Sequence, residues 1–274
     1  MDMPHPVTPL AAAPSTALTP GALSPDGVWR WDGLGWVPAI AASTPAYQPL
    51  GVRRRLAAGA LLVAGLSQLV SLGALTGRLD LLGKISSGTQ VSLADAQHSD
   101  EVVRSAGFLE LGATILCAVL FLSWLHRVVA NNGALGARLL RFTPGAAVGW
   151  WFVPFANWVM PFRVVSEAWR AADPQLPWST PDQRAMRRVP GLFAGWWLAL
   201  ASGSAVAAVG NAIGNGSGAD LDALHTATVA FMFASLVLAA AAVLGAMVVM
   251  QLSDRQNALH GAMSRPGEPA AATA

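Results

Sequence analysis

Leu56 to Gly77, Val189 to Ala219 and Ala223 to Ser253 each contain no Asp, Glu, Lys or Arg, and Ser105 to Leu125 contains only Glu110. A helix needs roughly 20 apolar residues to cross a hydrocarbon core about 30 Å thick. Inside lipid no water pairs with the backbone, so a segment must satisfy its own N–H and C=O groups by becoming a helix. Four such stretches leave little choice of fold. A soluble bundle of buried helices would need polar residues to cover its surface. Only 12% of this chain is charged, against about 25% in ordinary soluble domains. The expected class is an all-α integral membrane protein with spans at about 56–77, 105–127, 190–213 and 225–251.

A fifth apolar run, Phe142 to Phe162, also lacks charge but contains Pro144, Pro154 and Pro161. Proline removes a helix donor and clashes with the preceding turn. Basic residues flank the inner ends of spans, and this decides the topology. With four crossings and both termini inside, 14 basic residues fall inside and three outside (Arg78, Lys84 and Arg104). If 142–162 crossed as well, the division would be seven against ten. Residues 143–162 are therefore expected to form a re-entrant or interfacial segment returning to the cytoplasmic side, with Trp150, Trp151 and Trp158 in the headgroup zone.

Beyond it, Phe162, Val165, Ala168, Trp169 and Ala172 line one face of a helical pattern, and Arg163, Ser166, Glu167 and Arg170 line the other. The spacing predicts an amphipathic helix over 162–172, lying on the inner leaflet with its arginines near anionic lipids. Thr180-Pro181-Asp182-Gln183 signals the start of another cytoplasmic helix. Asn131-Asn132-Gly133 signals a helix end. Gly191/Gly195 and Gly210/Gly214 are small-residue pairs that let helices approach closely.

Polar residues inside spans are the natural functional candidates. Gln68 lies near the middle of the first span, where contact with a neighbouring helix is favoured over a polar path. Glu110 is the one acid inside a span; interface snorkelling is the plainer reading and a functional acid the sharper one. Asp95, His98 and Glu101 share a helical face at a spacing that could suit a metal, but a solvated surface is the favoured reading, and no metal or cofactor is expected. Cys117 alone supports no disulfide and reads as a packing residue. The net charge of +2, with its arginines at membrane edges, implies no nucleic-acid partner.

Residues 1–48 are proline-rich and lack the basic n-region and apolar h-region of a signal peptide; they read as a disordered cytoplasmic tail, as do 263–274. Between the tails, 49–262 form the membrane domain. Within the first tail, Trp29 and Trp31 alternate at the period of a strand, Asp32 and Gly33 supply turn residues, and Trp36 can return opposite them. A miniature hairpin and an unfolded segment with exposed indoles remain open alternatives. Either is a cytoplasmic contact motif.

The run LRFTPGAAVGWWFVPFANWVMPFRVVSEAWRAADP resembles the signature of an uncharacterised bacterial membrane family, domain of unknown function 4328. WLHRVVANNGALG before it and MQLSDRQNALH after it resemble further elements of that family, with His126 where the pattern implies a tyrosine. The resemblance implies a small multi-span protein and singles out Trp150, Trp151, Pro154, Phe155, Asn157, Pro161, Arg163, Glu167, Trp169 and Arg170. It implies no activity. SPDGVWRWDGLGWVPA resembles a short Trp-Asp-Gly…Trp motif appended to actinobacterial membrane proteins. Location in the bacterial cytoplasmic membrane follows.

No nucleophile–base pair or metal triad stands out, so an enzyme is not expected. The leading expectation is a non-enzymatic protein that binds or organises partners at the inner leaflet. Its partners would be the bilayer, anionic inner-leaflet lipids, and a protein or a second copy of the chain. The alternative is a small-solute or ion transporter component in which the broken segment lines a cavity, with Gln68, Glu110 and Asn157 as its polar lining.

Overall fold

The computed structural model describes residues 19, 21–25, 29–31, 35–38, 46–137, 139–173, 186–216 and 220–264. Asp32, Gly33, the 180–183 capping signal, the tail from 265 and most of the first 45 residues lie outside them. The chain divides into two compact units, residues 1–44 and 45–274.

In the first unit, β1 (Trp29–Trp31) pairs antiparallel with β2 (Trp36–Pro38), placing Trp31 opposite Trp36. Their rings meet edge-to-face at 5.6 Å, the geometry aromatic quadrupoles favour. The hairpin has a neighbour that the alternation did not announce. The amide of Gly21 donates to the Trp31 carbonyl at 2.7 Å, Trp31 donates back to Ala22 at 2.8 Å, and the Ser24 hydroxyl accepts from the Trp29 amide at 2.9 Å. Residues 21–24 thus occupy the other edge of β1, adding backbone pairing that a lone hairpin lacks.

The second unit is all-α and membrane-embedded. Four helices are long and apolar enough to cross a bilayer: α1 (Gly51–Ser86), α2 (Leu93–Ala134), α5 (Gly191–Gly214) and α6 (Leu221–Met263). Between α2 and α5 the chain forms α3 (Pro144–Gly149), a 3-10 turn (Ala156–Trp158) and α4 (Met160–Ala171). The fifth apolar run is therefore not a continuous helix. Its prolines explain the breaks. Pro144 and Pro161 stand in the first turns of α3 and α4, where a missing N–H costs nothing. The Thr143 hydroxyl caps α3 by accepting from the Ala146 amide at 3.2 Å, and Pro154 sits in the turn between the helical pieces.

Three of the long helices, α1, α2 and α6, exceed their apolar stretches at both ends. Ser92 starts α2 by accepting from the Asp95 amide at 3.1 Å, and its hydroxyl donates to the Asp95 carboxylate at 2.6 Å. Asp220 caps α6 through the Ala223 amide at 2.9 Å. Asn131-Asn132-Gly133 does not end α2, contrary to its capping signal. The helix runs to Ala134 and stops where Gly136 takes φ +80°, a conformation glycine adopts without a Cβ clash.

α2 packs along α1, α1 along α6, and α6 along α5. No such seam joins α2 to α5. Small residues draw α6 close to both neighbours. A Cβ on Gly65 would lie 3.0 Å from that of Ala242, and one on Gly210 would lie 3.2 Å from that of Ala230. Gly214 likewise faces Ala227, whereas Gly191 and Gly195 meet nothing within 4 Å. Of the two small-residue pairs, only the second forms a helix contact among the described residues.

Cross-helix pairs fix which ends lie together. Arg54 near the start of α1 bonds Asp254 near the end of α6. Asn131 near the end of α2 exchanges hydrogen bonds with the Gln48 backbone at 3.2 and 2.9 Å. Trp169 of α4 meets Phe193 at the start of α5 at 5.0 Å. Residues 46–50, α4, residues 186–190 and the ends of α2 and α6 thus share one end of the bundle. Ser86, Ser92, Gly214 and Asp220 mark the other.

Candidate functional site

Two groupings of side chains emerge, one at the arginine-rich end and one between the helices.

At the end, polar side chains that look unrelated in sequence tie α2, α4 and α6 together. The buried Trp124 indole donates to the Ser253 hydroxyl at 2.9 Å. Gln256, fully buried, donates to the Val128 carbonyl at 2.9 Å and to the Asn132 side chain at 2.8 Å. Tyr47 donates to the Asn257 side-chain oxygen at 2.6 Å and stacks on His260 at 4.2 Å; burial pushes its hydroxyl pKa upward. Buried polar groups demand partners, and here they select one arrangement of three chain segments.

α4 docks onto this end. Val164, Val165, Ala168 and Ala171 are buried, and so is Ser166, which the sequence pattern assigns to the polar face. The apolar face of α4 is thus covered by the chain itself. Glu167 accepts from the Arg141 amide at 2.6 Å, while Arg163 remains exposed. Just beyond α4, the buried Asp173 carboxylate pairs with Arg187 at 2.9 Å and Arg255 at 3.4 Å. Arg255 lies over the Trp169 ring, 4.3 Å from its centroid, and donates to the Trp169 carbonyl at 3.2 Å. Arg170 donates to the Arg187 carbonyl at 3.0 Å. Trp169 and Arg170 were singled out from sequence. Asp173, Arg187 and Arg255 were not, although Asp173 closes the same motif two residues after Ala171.

The second grouping lies where α2 and α5 lack a seam. A cavity of about 410 Å³ opens there, bounded by all four long helices and by Trp151 and Phe152 of the broken segment. That volume is within the usual range for small-molecule sites. Aromatic rings close one end. Phe121 of α2 stands 5.5 Å from Trp151 and 5.9 Å from Trp196, and Trp151 meets Trp197 at 5.8 Å. Trp196 fits because Gly245 has no side chain: a Cβ there would be 2.8 Å from the indole nitrogen. The Trp197 indole donates to the Trp158 carbonyl at 3.1 Å, pinning the broken segment to α5.

The other end of the cavity is polar. Gln68 donates to one oxygen of Glu110 at 3.0 Å, and Ser71 donates to the other at 2.8 Å. Gln68 and Ser71 are buried, Glu110 is half-buried, and all three groups lie well inside the bundle. At a rise of roughly 1.5 Å per residue, the Arg78–Asp100 pair is about 15 Å away toward one end and the Arg54–Asp254 pair about 20 Å toward the other. The exposed Arg104 stands about 9 Å from Glu110 along α2, so the acid lies inside the apolar stretch toward its Arg78–Asp100 end. Among the described residues, no Arg or Lys lines the cavity.

The structure thus gathers Gln68, Glu110 and Trp151 at one cavity. Asn157 does not line it. Its side-chain oxygen is buried without a hydrogen-bond partner among the described residues, as are the indole nitrogens of Trp150 and Trp151. Pro154 and Phe155 form the tip of the broken segment. Phe155 is 89% exposed and holds φ +61°, a strained conformation for a residue with a side chain. Pro161 starts α4. Trp29, Trp31 and Trp36 belong to the separate N-terminal unit. Asp95, suggested by spacing as a metal ligand, instead partners Ser92 at the α2 cap, and the described residues contain no group of three His, Cys, Asp or Glu that could hold a metal.

Residues 87–254 match the model of a family described as a domain of unknown function, DUF4328. No curated protein and no solved structure matches the chain.

Proposed function

The chain belongs to the DUF4328 family, and from that premise we propose that it is a non-enzymatic membrane protein that binds a small apolar guest within the bilayer. One observation carries this reading: the cavity between α2 and α5, walled by apolar side chains, closed by Trp151 and Trp196, and open where those two helices fail to pack. The broken segment supplies part of the wall, as discontinuous segments do in transporters. Of the groups that line the cavity, Gln68 and Glu110 are engaged with each other, and Ser71 behind them holds the second Glu110 oxygen, which suits recognition better than catalysis. The test is quenching of tryptophan emission by the neutral fluorophore N-phenyl-1-naphthylamine in detergent-solubilised protein. Saturable quenching that Ser204→Trp and Ala118→Trp abolish supports the reading. Both positions line the cavity and are exposed, so the larger ring fills space without breaking the core. Identical unsaturated partitioning in all three proteins contradicts it.

A second reading, an organiser of partners at the cytoplasmic membrane, is favoured by the apolar tip. Phe152 and Phe155 are 72% and 89% exposed among the described residues. In this reading the arginine-rich end faces the cytoplasm, and the exposed Arg55, Arg141, Arg163 and Arg188 attract anionic headgroups. Crosslinking from position 155 in membranes tests it. A discrete protein adduct supports it, and adducts to lipid alone count against it.

A further inference from the structure

The cavity carries one formal charge, and it is negative. Glu110 accepts from two neutral donors, Gln68 and Ser71, and no basic side chain lines the space around it. An interhelical tie alone would be met by a neutral amide. A carboxylate in its place costs more, because an acid within a span loses hydration and here has no salt-bridge partner among the described residues. Glu110 is only partly buried, and each of its oxygens accepts one side-chain hydrogen bond, which leaves lone pairs for a guest. From Glu110 the cavity runs past Thr114 and Cys117 to the rings of Phe121, Trp151 and Trp196, about 16 Å along α2. Those rings favour a flat or aromatic body by stacking and edge contacts.

We propose that the cavity between α2 and α5 binds a lipophilic organic cation, its charge seated against Glu110 and its apolar body directed toward the aromatic end. This rests on the reading of the cavity as a guest site and adds the sign of the guest's charge. The occupant is a soluble amphiphilic cation rather than an aminolipid. A lipid's ammonium sits beside its own phosphate, and no basic side chain among the described lining residues would receive that phosphate.

The experiment compares two ions of nearly the same shape and opposite sign, tetraphenylphosphonium and tetraphenylborate, by calorimetric titration of the full-length protein in neutral detergent. The cation is expected to bind saturably and about tenfold or more tightly than the anion. Glu110→Gln keeps the size and hydrogen-bonding capacity of the side chain, and it should remove that preference. Equal binding of both ions to the native protein overturns the charge assignment while leaving the guest cavity intact, and this arm needs no variant to fold. An unchanged preference in Glu110→Gln that retains its native melting transition overturns it as well. Binding of neither ion also overturns it; the neutral-fluorophore measurement then decides whether the cavity takes guests at all, and sizing shows whether a second copy closes the opening. A tightly held aminolipid found by native mass spectrometry, displaced by neither ion, assigns the acid to a lipid and equally defeats the proposal.

Discussion

Gln68 of α1 donates its amide to Glu110 of α2 at 3.0 Å, joining two helices inside their apolar stretches beside a cavity that no basic side chain lines among the described residues. Replacing Gln68 with Leu leaves the acid one donor. The expected cost is about 1–2 kcal/mol, the range of interhelical hydrogen bonds in membranes, read as a lowered melting temperature in detergent. The double variant Gln68→Leu/Glu110→Leu should recover most of the loss, because removing both partners leaves no polar group unsatisfied. Strictly additive losses in the two single variants and the double would show that the pair does not interact.

Asp173 holds two guanidinium groups. Asp173→Asn leaves Arg187 and Arg255 facing each other without a counter-ion. The expected destabilisation is about 2–3 kcal/mol, below the full value for a buried pair because both arginines are partly exposed. It should be local. Hydrogen exchange is predicted to quicken in 160–173, where α4 docks, while the Glu110 region of α2 keeps its protection. Uniform acceleration along the chain would refute the local role.

The glycines separate into two kinds. At Gly245, a methyl group meets the Trp196 indole, so Gly245→Ala should displace a cavity wall, shift the tryptophan emission and cost about 1–3 kcal/mol. At Gly191 and Gly195 nothing stands within 4 Å, so alanine should be neutral or stabilise by up to about 1 kcal/mol. Thermal unfolding of the three variants checks the contrast; equal losses at all three would contradict the packing described.

Phe155 combines a positive φ with near-complete exposure. Its ring adds little to the packing of its own chain, and its backbone stores strain of about 1–3 kcal/mol. Phe155→Gly should therefore leave the melting temperature unchanged or raise it slightly. If the tip engages lipid or a partner, the same variant loses crosslinking at positions 152 and 153. A marked drop in stability would mean that the ring supports the fold.

The helical spans were legible because they lack charge over the length a bilayer requires, and the break at 142–162 was legible in its prolines and in the arginines on both flanks. The helix ends were less so. Polar residues such as Arg78 and Arg127 mark the edge of the apolar stretch but do not stop a helix, which continues until Gly88 or Gly136 turns it. Two-sidedness of α4 was readable from periodicity; its burial against the bundle was not, because a lipid surface and a protein surface ask for the same apolar face. Asn131 and Asn132 carry a local capping signal that tertiary partners override, as Gln48 and Gln256 take their side chains. The Gln68–Glu110 and Asp173–Arg255 pairs join residues far apart in the chain. Their residue types could be flagged, but nothing local names the partner.

The account depends most on four crossings, with the broken segment returning to the side it left. Single cysteines in a Cys117→Ala background, probed with a membrane-impermeant maleimide, test this directly. Exposed positions Arg163, Met186 and Ser264 should label from the cytoplasmic face alone, and Gln90 and Asp220 from the opposite face alone. Labelling of Arg163→Cys or Met186→Cys from the face that labels Gln90→Cys would contradict it.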